Sequence, residues 1–157
     1  MTAQMYSVFD VANWFMRKGA LVHKKIQKLC YYAQAWSYVF NNEPMIDSDF
    51  EAWVHGPVNR QLWNELKKYG YFDIEPDVLS QKAKAITDIK VLNVLEQVWA
   101  TYGEYTGFEL ERLSHSEPPW LKAREGYKDT EPSAVKIDPV LMKSYYSSLL
   151  AGDGVGE

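Results

Sequence analysis

The amino-acid sequence predicts a mostly α fold, a single compact helical domain of about six helices with at most a short β-hairpin. Three observations lead there. Apolar residues recur at three- and four-residue spacing through most of the chain, and several of these stretches begin on a side chain able to cap a helix. Only Phe50-Glu51-Ala52-Trp53-Val54 reads as a short extended piece.

The elements follow in chain order. Ser7-Val8-Phe9-Asp10 pairs a capping hydroxyl with an acid three positions later, and Val8, Val11, Ala12 and Phe15 continue at helical spacing until Gly19. From about His23 to Phe40, the residues Ile26, Leu29, Cys30, Ala33, Ser37 and Phe40 trace one face, and Tyr32, Trp36 and Val39 add a second. A helix apolar over so much of its girth belongs at the centre. Asn41-Asn42-Glu43-Pro44 breaks it, because Asn favours turns and Pro cannot continue a helix.

Pro57 stands where a first helical residue loses nothing by lacking an N–H; Val58, Leu62, Leu66 and Tyr69 recur behind it, and Gly70 supplies the stop. Tyr71 to Ala85 is polar and interrupted by Pro76, a loop with room for a strand or one helical turn. Thr87 or Asp88 caps a helix carrying Val91, Leu95, Val98 and Tyr102 on one face and ending at Gly103. Thr106-Gly107-Phe108-Glu109 is a capping box, with Tyr105 and Leu110 spaced as a hydrophobic staple, and its helix runs to about Leu113. Pro118-Pro119 opens a short segment through Arg124, and Asp138-Pro139 starts a last helix along Leu141, Tyr145 and Leu149. Residues 1–150 thus read as one domain without repeat or linker, and the Gly-rich, acidic residues 151–157 as a flexible tail.

Composition narrows the function. Six Trp and eleven Tyr predict a Trp-rich core, with some rings available for a binding surface. A net charge of −4 argues on electrostatic grounds against a nucleic-acid partner unless a local basic patch exists. One cysteine, Cys30, allows neither an internal disulfide nor a multi-thiolate zinc site, and inside a helical apolar face it reads as a core residue. No apolar run approaches a membrane span and no basic leader precedes one, so the expected location is the cytoplasm, with no membrane partner.

Phosphate-loop, dinucleotide, nucleophile-elbow and His-Glu-x-x-His patterns are absent from the sequence, so no catalytic residue, metal site or cofactor is expected. Lys24, Lys25 and Lys28 put a basic turn where the helix dipole prefers acids, and read as a solvated face. Two segments stand out. Trp53 to Asn59 places His55, Gly56 and Pro57 at an expected helix entrance whose N–H groups would suit an anion. Leu113 to Arg124 gathers His115, Glu117, Trp120 and Arg124 around a proline turn. Such residues suit a hydrogen-bonded tie between helices, a partner surface or acid–base chemistry.

These residues carry a resemblance. Lys25-Ile26-Gln27-Lys28-Leu29-Cys30-Tyr31-Tyr32-Ala33-Gln34-Ala35-Trp36 is similar to the Leu-Gln-Lys-Leu-x-Tyr-Tyr-Ala-Gln-Ala-Trp helix of the Panacea domain family, also described as SocA-like antitoxin domains or phage-associated proteins. Phe50 to Val58 resembles its Phe-x-Ala-Trp-x-x-Gly-Pro-Val block, and Leu113 to Arg124 its Leu-Ser/Thr-His-x-Glu-x-Pro-Trp-x-x-Ala-Arg block. Threonine is common in the family where this chain has Ser114, and the hydroxyl is retained. The resemblance implies a helical antitoxin, often prophage-borne, that binds a cognate toxin protein directly without enzymatic activity. His55, Gly56, Pro57, Arg60, His115, Glu117, Trp120 and Arg124 are the expected partner-binding or scaffold-locking residues. Rival expectations are an enzyme acting on a small molecule or nucleotide through His115 and Glu117, and a DNA-binding autoregulator.

Overall fold

The protein is described here by a computed structural model covering residues 5–155. Its seven α-helices are α1 (Val8–Met16), α2 (His23–Phe40), α3 (Arg60–Leu66), α4 (Ile89–Tyr102), α5 (Gly107–His115), α6 (Pro118–Ala123) and α7 (Pro139–Val155). Two small antiparallel pairs accompany them: β1 (Leu21–Val22) with β4 (Asp73–Ile74), and the hairpin of β2 (Glu51–Trp53) with β3 (Gly56–Val58). The mostly α class holds, with one helix and one strand pair beyond the expectation. The last helix takes in positions 151–155 of the expected tail, while 156–157 lie outside the described residues.

Capping chemistry starts α1, α4 and α5 where expected. Ser7 Oγ accepts from Asp10 N–H at 3.1 Å while Asp10 Oδ2 accepts from Ser7 N–H at 3.0 Å. The other Asp10 oxygen accepts from the N–H of Lys84, so the cap also anchors the long loop before α4. Asp88, rather than Thr87, caps α4, and Thr106 with Glu109 forms the box at α5. The α2 helix packs against α1, α4, α5 and α7 and is the hub of the fold.

The core is built on tyrosine rather than tryptophan. Tyr31, Tyr32 and Tyr146 are among the largest fully buried side chains, whereas Trp120 is the only buried indole. Trp14, Trp36, Trp53, Trp63 and Trp99 are half-buried, which lets a large ring rest on the core while its edge remains accessible.

Pro57 does not begin a helix. It lies in β3 opposite Ala52, and α3 starts three residues later behind the Asn59 cap, whose Oδ1 accepts from Leu62 N–H at 3.1 Å. Ala52 sends its N–H to Val135 O and its carbonyl to Arg124. The Ala52–Pro57 pair is therefore the one without ladder hydrogen bonds, where a residue lacking N–H costs the sheet nothing.

Candidate functional site

The β2–β3 hairpin meets the α5–α6 corner, and this junction gathers most of the residues singled out in the sequence. Trp120 Nε1 donates to Trp53 O at 2.9 Å. Arg124, 6% exposed, donates through Nη1 to Ala52 O at 3.2 Å and through Nη2 to Lys128 O and Glu131 O at 2.7 and 2.8 Å. A planar fork suits three carbonyls that diverge from one point. The His115 ring stacks on Trp120 with centroids 4.1 Å apart, and burial lowers its pKa against the opposing pull of Glu111. Its Nε2 is buried and has no hydrogen-bond partner among the described residues.

Glu117 turns away from this junction into the tyrosine core. It is 4% exposed, and its Oε1 accepts from Tyr32 at 2.8 Å and from Tyr146 at 2.7 Å. Burial raises its pKa and the two phenolic hydrogen bonds oppose the rise. The carboxyl thus satisfies the Tyr32 hydroxyl and serves as a strong acceptor for Tyr146, whose hydroxyl also lies 3.1 Å from that of Tyr31. His115 and Glu117 therefore serve different surroundings, and the acid–base reading gains nothing from the geometry.

On the outer side of the hairpin, His55 and Arg60 are exposed. His55 Nδ1 lies 3.2 Å from Glu111 Oε2, and Arg60 Nη2 donates to Glu51 Oε1 at 2.8 Å with its guanidinium over the Trp53 ring. The Glu51 carboxyl is held below its ordinary range by Arg60 and Trp53 hydrogen bonds that outweigh its desolvation.

The basic turn of α2 is not a solvated face. Lys24 pairs with Glu111, Lys25 donates to Gly103 O at 2.6 Å, and Lys28 is 2% exposed. The hairpin and α5 roof this turn, which no local pattern discloses. Gly56 makes the fit possible: its φ is +109°, and a Cβ there would lie 2.6 Å from Lys28 Cε and 3.2 Å from Ser114 Oγ. Lys28 Nζ donates to Pro57 O at 3.2 Å. Beside it, His23 is pushed down to about 4, chiefly by burial and then by Lys28. Sequence reasoning missed Lys28, and its one signal was the unfavourable placement of a cation in a first helical turn.

The three motif segments thus converge on one corner of the fold: α2, the hairpin, and the α5–α6 turn. The family model described as Antitoxin SocA-like, Panacea domain, matches residues 26–121, more than half of the chain. The chain belongs to this Panacea domain family. A relative named Antitoxin SocA, from Caulobacter vibrioides (strain NA1000 / CB15N), is 29% identical over 124 residues, covering 70% of this chain and 66% of its own. No solved structure matches the chain. The matched Panacea region runs from α2 into α6, so it includes the hairpin, the Tyr32–Glu117 contact and the Trp120–Trp53 contact but stops short of Arg124 and of α7 with Tyr146.

Among the described residues no group of three or more His, Cys, Asp or Glu side chains could hold a metal ion, and no helix is long and apolar enough to cross a membrane.

Proposed function

We propose that this chain is a cytoplasmic antitoxin that neutralises a cognate toxin protein by binding it directly, without chemistry of its own. The observation that carries this reading is its membership of a family described by an antitoxin. The geometry supports a division of labour among the expected residues. Gly56, Pro57, Glu117, Trp120 and Arg124 are buried and His115 is stacked, so these six lock the scaffold.

His55 and Arg60 face outward and meet the partner, together with Tyr71 and Phe72, which are 85% and 81% exposed. Exposed aromatic rings beside an arginine have the composition of an interface hot spot.

The test is co-expression with the product of the neighbouring reading frame. The reading requires that this product stops growth alone, that growth returns with the wild-type chain, and that the two co-purify. Arg60→Glu and a Tyr71→Ala/Phe72→Ala pair should lose rescue while melting within about 2 °C of wild type. A harmless neighbour, or rescue without a complex, would defeat the proposal.

A further inference from the structure

A cavity of about 970 Å³ opens between the start of α2, the β2–β3 hairpin, α3 and the loop at 130–134. Its volume lies at the upper end of the range for small-molecule sites. Trp53, Val58, Trp63, Tyr71 and Pro132 supply apolar and aromatic walls. Trp53 and Trp63 meet edge to face at 5.2 Å and form a corner into which a flat ring can slide.

The polar lining is one-sided. Lys24, Lys28 and Arg60 line the cavity, with the imidazoles of His23 and His55, and among the described residues no Asp or Glu does so. Glu111 behind the wall holds Lys24 and His55, and Glu51 holds Arg60. Three strong cations against these two carboxylates leave one positive charge over, and the geometry places it on Lys28. That side chain is 2% exposed, and among the described residues its ammonium donates one hydrogen bond, to the Pro57 carbonyl at 3.2 Å. A buried ammonium with donors to spare is costly unless an anion completes its shell. Burial and the adjacent Lys24 already draw its pKa down to about 7, the response of a cation whose counter-charge is incomplete.

We propose that this cavity binds a small planar aromatic molecule bearing one anionic group, with the ring against Trp53, Trp63 and Tyr71 and the anion on Lys28. A nucleoside monophosphate and an aromatic carboxylate share that chemistry. The cavity shares His55, Arg60 and Tyr71 with the proposed toxin surface, but its binding can be tested without a toxin.

Purified full-length chain is titrated by calorimetry and tryptophan fluorescence with adenosine monophosphate and with indole-3-carboxylate. Adenosine and indole serve as neutral rings, and inorganic phosphate and acetate as bare anions. At least one ring-bearing anion should bind about tenfold or more tightly than its neutral parent and its bare anion, and which one does so identifies the source of the anion. Lys28→Met, which keeps the length of the side chain and removes the buried charge, should abolish that preference without lowering the melting temperature. Trp63→Ala should weaken the anion and its neutral parent alike. Equal or absent binding of charged and neutral rings would overturn the proposal, as would a preference that survives Lys28→Met.

Discussion

The hydroxyl of Tyr146 donates to Oε1 of Glu117 at 2.7 Å, joining α7 to the residue that precedes α6 across 29 positions of sequence. Tyr32 of α2 shares the same oxygen. Glu117→Ala would strand the Tyr32 hydroxyl beside a void and leave Tyr146 only its contact with the Tyr31 hydroxyl, and the unfolding free energy should fall by about 3 kcal/mol. Urea unfolding followed by tryptophan fluorescence measures the loss.

Glu117→Gln keeps an acceptor at that point and removes the charge. Because burial raises the folded-state pKa of Glu117, its contribution is complete below the unfolded value and declines as pH rises through the folded one. The amide does not titrate. The variant should therefore gain on wild type as pH rises above the ordinary carboxylate range, and a difference that does not change with pH would contradict the assignment.

Lys28 acts in the opposite sense. Its folded pKa of about 7 lies below the ordinary 10.5, so between these values the unfolded chain binds more protons and stability rises with pH. His23, at about 4 against 6.5, adds the same sign at lower pH. Denaturation midpoints taken from about pH 7 to about pH 10 should climb in wild type more than in Lys28→Met; parallel curves would show that the amine is not the source.

Gly56 and Lys28 should couple. Gly56→Ala forces a side chain into a left-handed backbone and against Lys28 Cε, at a cost of about 2–4 kcal/mol. Combining it with Lys28→Ala removes the clash but not the torsional strain, so the double variant should recover part of the loss. Strict additivity in thermal melts would mean that the two positions do not meet.

Arg124→Lys should lower stability by about 2–3 kcal/mol, since one ammonium cannot serve Ala52, Lys128 and Glu131 from a single planar fork. His115→Ala, which removes the ring stacked on Trp120, should reduce the melting temperature while toxin neutralisation persists at temperatures where the fold survives. Loss of neutralisation at unchanged stability would move His115 to the contact surface.

Much of the fold was legible because the signals act over three or four residues. The Ser7–Asp10 and Thr106–Glu109 boxes, the Asp88 cap and the Pro118 and Pro139 starts all bring a side chain to a backbone amide one turn away, or dispense with that amide. The bounds of α2 were readable for the same reason. The misplaced start at Pro57 shows the limit: a proline fits a first helical turn and an unbonded strand position equally well, and Ala52, Val135 and Arg124 decide between them. The strand pair of Leu21 and Ile74 was invisible, since two residues hold no periodicity.

By itself the sequence determined the helical class, most helix starts and the three motif segments, because periodicity and capping are local properties of the chain. Only the tertiary structure decided that Glu117 faces the tyrosines rather than His115, that Lys28 is buried, and that Trp53 and Trp63 form the corner of a cavity. Each of these depends on where a distant segment comes to rest. Burial and charge balance are sums over neighbours in space, and α2 acquires those neighbours only when the hairpin and α5 close over its first turn.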